Sequence, residues 1–111
     1  MTVLDAPSKV QFQLEALLEV LNDEWKVSAV ESGHVFYHQL TYAVGKRYYK
    51  IIANDDPGAH RSVWMFVDRK TGECYKPASW LQPAKGVRYQ LADLVENWEK
   101  CDPYGSFLYI R

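Results

Sequence analysis

The side chains best equipped for chemistry are the cations and aromatic rings in the middle of the chain. "KRYYK" at 46–50 and "KPASWLQPAKGVRY" at 76–89 interleave lysines and arginines with tyrosines and a tryptophan. In an extended segment successive side chains point to opposite sides, so Lys46, Tyr48 and Lys50 share one face while Arg47 and Tyr49 share the other. One face then presents a ring between two ammonium groups. Lys76, Trp80, Lys85, Arg88 and Tyr89 extend the stripe, and Arg61 and Arg69 flank the neighbouring strand. Rings that stack on bases while cations follow the phosphates are the physical recipe for sequence-tolerant binding of single-stranded DNA or RNA. The candidate nucleic-acid-binding residues are therefore Lys46, Arg47, Tyr48, Lys50, Arg61, Lys76, Trp80, Lys85 and Arg88. A second reading of the same region makes Trp64, Phe66, Tyr75 and Trp80 core, with the charges keeping a sheet face and its edges soluble.

Other chemistries find less support. His34 and His38 point the same way on a strand but stand roughly 13 Å apart, too far to share one ion. Ser79 and Cys74 lie near the basic segment, yet neither sits in a nucleophile elbow or a cysteine-protease signature, and they read as a turn residue and a strand residue. Asp55 and Asp56 in "NDDPG" are accounted for by turn chemistry. No Gly-rich phosphate loop occurs. No catalytic residue, metal ligand or cofactor is expected, and the chain reads as a non-enzymatic protein.

Charge is distributed unevenly. The formal net charge is -1, but residues 1–33 carry two bases (Lys9, Lys26) against six acids, residues 34–91 nine bases against four acids, and residues 92–111 two bases against four acids. A basic middle between acidic ends fits either a polyanion partner or a module whose acidic segments meet the basic face of another copy.

The elements that must position these residues follow from periodicity. In "SKVQFQLEALLEVLND", 8–23, Ser8 and Gln11 form a capping-box pattern, and Val10, Leu14, Leu17, Leu18 and Leu21 recur at helical spacing. "WKVSAVES", "HVFYHQLTYAV", "KRYYKIIA", "RSVWMFVD" and "ECYKPASW" are rich in β-branched and aromatic residues and read as five strands. Gly33, Gly45 and "NDDPG" punctuate them, and "DRKTGE" closes the surest hairpin, with Gly72 left-handed in a type I turn with a bulge. "QLADLVENWEKC", 90–101, sets Leu91, Leu94, Val95 and Trp98 on one helical face, and Asp102-Pro103 stops it. "SFLYIR" predicts a short edge strand. Pro77 and Pro83 are expected to end the fifth strand and stiffen an exposed basic loop leading to the last helix.

The fold expected is α+β, one domain over 1–111: an N-terminal helix, a meander of about five antiparallel strands curled into a small half-open barrel, a C-terminal helix and an edge strand. The order of elements resembles Sm-like and SH3-like barrels. With 48% hydrophobic and 24% charged residues the composition is that of a globular protein. Absence of a long apolar run or a signal peptide predicts a cytoplasmic protein without membrane contact, and Cys74 and Cys101 read as buried free thiols.

"RSVWMFVDRKTGECYKPASWLQPAKGVRYQL" with the ending "CDPYGSFLYIR" resembles a signature of small uncharacterised proteins of tailed bacteriophages and marine viral metagenomes. The pattern is an "FVDxxTGxxYKPASW" hairpin followed by "PAKGxRY", over residues 61–91 and 101–111. The usual form has a lysine where this chain has Leu81, so one charge is missing from the segment. The resemblance implies a phage origin, hence the cytoplasm of an infected host, and no activity. Two functions remain open: a nucleic-acid-binding accessory protein, or a protein-interaction module that forms a dimer or ring or docks on a host protein.

Overall fold

The computed structural model describes residues 8–34, 38–56 and 60–109, except the side chains of residues 55, 56 and 60. The chain opens with α1, Lys9–Glu31. Ser8 caps it: its Oγ accepts the Gln11 N–H at 3.1 Å. The reciprocal half of the capping box does not form, because the Gln11 side chain instead donates to Tyr42 Oη at 3.1 Å. Val10, Leu14, Leu17, Leu18 and Leu21 are all buried.

Residues 25–32, expected as a strand, are the last two turns of α1 and its C-cap, Ser32. Trp25 lies four residues after Leu21, so it prolongs the apolar stripe by one turn, and its ring meets that of Trp64 edge-on at 6.2 Å. The β-branched Val27 and Val30 stay exposed on the other side. The helix ends at Gly33, whose φ of 78° lies in the left-handed region. The N–H groups of Gly33 and His34 then return to the carbonyls of Val30 (3.0 Å) and Ala29 (2.8 Å), a Schellman closure.

Five antiparallel strands follow as a meander: β1 Gln39–Val44, β2 Tyr48–Asp56, β3 His60–Asp68, β4 Glu73–Tyr75 and β5 Tyr89–Gln90, paired in that order. Asp55 and Asp56 finish β2 rather than starting a turn. The register passes from Ile51↔Met65 to Ile52↔Val63, so Trp64 is an extra residue bulged out of β3. The bulge lets Trp64 and Met65 both enter the core, and the Trp64 indole N–H donates to the Asp102 carbonyl at 2.9 Å. At the β3–β4 turn Gly72 has φ of 78° and its N–H bonds the Asp68 carbonyl at 2.9 Å, as expected of that hairpin.

β4 stops at Tyr75, before Pro77. The chain then makes a long hydrogen-bonded loop and returns as β5, so the fifth strand comes from Tyr89–Gln90 and not from residues 25–32. Backbone bonds from Ala78 to Gln82 (2.9 Å), Ala84 to Lys76 (2.8 Å) and Arg88 to Cys74 (2.7 Å) brace the two arms. Pro77 and Pro83 face each other across it. Helix α2, Leu91–Glu96, is shorter than expected, and a 3-10 turn at Trp98–Lys100 succeeds it. The expected edge strand at the C-terminus is a second 3-10 turn, Ser106–Leu108, whose Phe107 and Leu108 are buried.

One face of the sheet carries Leu40, Tyr49, Ile51, Ala53, Met65, Val67 and Cys74, packed with the stripe of α1 and with Leu91, Leu94, Cys101, Phe107 and Leu108 in a single core. The sheet does not close into a barrel. The apolar face is covered by a 23-residue helix instead of by the sheet itself, and strands of two or three residues are too short to wrap round to β1. The edge at β1 is partly occupied: the Asn22 side chain on α1 donates to the Leu40 carbonyl (2.9 Å) and accepts the Leu40 N–H (2.7 Å).

Candidate functional site

The face of the sheet turned away from α1 is built by alternation along β2 and β3. Tyr49 and Ile51 point into the core, so Tyr48 and Lys50 point outward. Lys50 stands opposite Phe66, and Phe66 opposite Tyr75. The Tyr48 ring meets Phe66 and Tyr75 edge-on at 5.9 and 5.8 Å. Lys46 and Arg47 belong to the tight turn before β2 and not to the strand, closed by a 2.9 Å bond from the Gly45 N–H to the Tyr48 carbonyl. Arg47 therefore does not share the side of Tyr49. Its guanidinium lies 5.2 Å from the Tyr48 ring centre, while Arg69 takes Tyr49 at 5.5 Å.

The loop between β4 and β5 folds its tip over this surface. Ser79 is the turn residue expected, its Oγ accepting the N–H groups of Leu81 and Gln82 at 3.2 Å each. Trp80 and Leu81 ride on the tip, 44% and 77% exposed. Lys50 Nζ lies 4.5 Å and the Arg61 guanidinium carbon 5.7 Å from the centre of the Trp80 ring. Two shallow cavities flank the tip. One, about 310 Å³, has Lys46, Arg47 and Lys50 round its rim and Tyr48, Phe66 and Leu81 among its walls. The other, about 300 Å³, is lined by Ser62, Val63, Pro77, Ala78, Ser79 and Trp80.

The structure thus gathers six of the nine expected residues, Lys46, Arg47, Tyr48, Lys50, Arg61 and Trp80. Three lie apart from it. Lys76 places Nζ 4.7 Å from the ring centre of Tyr109. Lys85 is exposed on the return arm of the loop. Arg88 is half-buried, with its Nε shielded and without a hydrogen-bond partner among the described residues. The rings divide between the two roles considered: Trp64 and Phe66 are buried, Tyr75 is half-buried, and Trp80 is exposed. The walls formed by Val63, Phe66, Pro77 and Leu81 were not anticipated, though Phe66 follows from pairing two strands through a hairpin of known length. Leu81 carried only its place beside Trp80 as a signal.

Among the described residues Arg47 makes the one ion pair, 3.5 Å from Asp68. Burial would raise the Asp68 carboxyl, but the N–H groups of Lys70 (2.8 Å) and Thr71 (3.1 Å) together with Arg47 outweigh it and hold the group below its ordinary range. α1 carries Glu15, Glu19, Asp23, Glu24 and Glu31 against Lys9 and Lys26, and it packs on the opposite face. Basic sheet surface and acidic helix are held on two sides of one layer.

Elsewhere the chemistry is subdued. His34 follows the end of α1 and His38 precedes β1, so neither is on a strand; the His38 ring meets Tyr104 edge-on at 4.9 Å. Among the described residues no three metal-ligating side chains cluster. Cys74 and Cys101 are free and buried; burial pushes both thiols up, Cys101 to about 12 with help from the Asp102 charge. No described helix is long and apolar enough to cross a membrane. No curated protein and no solved structure matches the chain. A family model matches residues 4–110, nearly the whole length, and by that match the chain belongs to the family of unknown function DUF7717.

Proposed function

We propose that the outer face of the sheet binds single-stranded DNA or RNA without regard to sequence and without chemical conversion, as an accessory protein of phage type acting inside an infected bacterial cell. The observation that carries this reading is Trp80, an exposed ring on a braced loop tip with Lys50 and Arg61 beside it, on the side away from the acidic helix. A base stacks on such a ring while the neighbouring cations take its phosphates. The Cys74 and Cys101 thiols are buried away from this face and burial pushes both up, so neither is presented to a ligand there.

The test is fluorescence anisotropy of labelled single-stranded oligonucleotides across a salt series. Affinity should fall as salt rises, because neutralised phosphates release counterions. The Lys46→Glu, Lys50→Glu, Arg61→Glu triple variant should lose binding while remaining folded. No binding at low salt would overturn the proposal.

A second reading is a self-assembling or host-docking module. It is favoured by the β1 edge, which Asn22 covers only at Leu40, and by the five acids of α1, which complement the basic face of another copy. Light scattering that finds only monomer at high protein and low salt would count against self-assembly.

A further inference from the structure

Resting on the nucleic-acid reading, we infer that the outer face accommodates two consecutive nucleotides of a single strand, one base in each cavity, with the phosphate that joins them at Lys50. The two cavities are neighbours. Lys50 forms part of the rim of one and stands 4.5 Å over the ring of Trp80, which walls the other; Trp80 and Leu81, adjacent in the loop, contribute one side chain to each.

Their spacing follows the sheet. The first contains the cross-strand pair Lys50–Phe66, and the second contains Val63, which pairs with Ile52. Lys50 and Ile52 are two residues apart on one strand, a rise of about 6.6 Å, so the two walls follow one another along the sheet. Each cavity, at about 300 Å³, lies at the small end of the range for ligand pockets and suits a single base and sugar better than a larger body.

The two are not equivalent. Three cations surround the first, so it holds a base together with its phosphates. The second has no charged lining residue and offers an indole, Val63, Pro77 and Ser79, so it holds a base and leaves the phosphate to Lys50. Neither cavity, at about 300 Å³, has room for a further base. Affinity should therefore step at two nucleotides and flatten afterwards.

Displacement of fluorescein-labelled (dT)10 by unlabelled pdT, pdTpdT and the three-, four- and six-nucleotide homologues, at low salt, reads this directly. The expected result is a gain of at least about tenfold from one nucleotide to two, the scale of one stacked base, and less than about threefold from two to four. Ala78→Trp, at an exposed loop position lining the second cavity, should remove that step while the far-UV circular dichroism spectrum stays that of the parent protein. Equal gains for every added nucleotide, or a step that survives Ala78→Trp, would overturn the inference while leaving the nucleic-acid reading intact. Failure of (dT)10 itself to bind would sink both.

Discussion

Trp80 is the side chain on which most of the proposed contact rests, because it is the exposed ring of the basic face, whereas Phe66 is 2% exposed and serves as floor. Trp80→Ala should weaken single-strand binding by about 1–3 kcal/mol, roughly five- to 150-fold, and Trp80→Phe should retain most of the affinity, since any flat ring offers a stacking surface. Anisotropy titrations of the two variants check this. Asp68 is the structural counterpart on the same face, an acceptor for two backbone N–H groups and a partner to Arg47. Its pKa is depressed on folding from the ordinary 3.8, so the stability it contributes is fully present above that value and is lost as pH falls through the lower folded value. Thermal melts should therefore show an acid-side drop below pH 3.8 that is smaller in Asp68→Asn, which keeps an acceptor but no charge, at a cost of about 1–2 kcal/mol at neutral pH. An unchanged acid limb in that variant would contradict the assignment.

At the level of elements, α1 both covers the core and guards the edge of the sheet. Asn22 satisfies the N–H and carbonyl of Leu40 with one amide, so Asn22→Ala should cost about 1–2 kcal/mol by chemical denaturation and raise the tendency of β1 to pair with another chain, seen as larger species on size-exclusion chromatography. Much of the element pattern was legible. The Leu14–Leu21 stripe, the Ser8 cap, the glycine turn at 72 and the long strands β2 and β3 follow from local rules that tertiary packing did not override. Where local and tertiary preferences diverged the reading failed. Trp25 and the valines after it have strand propensity, but Trp25 falls in phase with the helical stripe and that burial won. Tyr89–Gln90 makes too short a strand to leave a periodic signal, and Ser106–Leu108 make a tight turn because Asp102 draws in the N–H groups of Tyr104 and Phe107 at 3.1 Å each; the rest of the expected edge strand, 110–111, lies outside the described residues.

For the whole molecule the organising feature is one antiparallel layer with an acidic helix on one side and a basic, ring-bearing surface on the other. Composition showed the charge blocks but not their sides, because sidedness depends on strand register and on where a long loop folds back. Thus Lys46, Arg47, Tyr48, Lys50, Arg61 and Trp80 converge, whereas Lys76, Lys85 and Arg88, equally basic and closer to Trp80 in sequence, are carried away by the arms of that loop. The most direct test is a backbone and indole NMR shift map during titration with (dT)10 at low salt. Shifts concentrated on Lys46–Lys50, Arg61–Val63 and Trp80–Leu81, with α1 unmoved, are predicted. Shifts gathered on α1 or spread evenly over the surface would contradict the account.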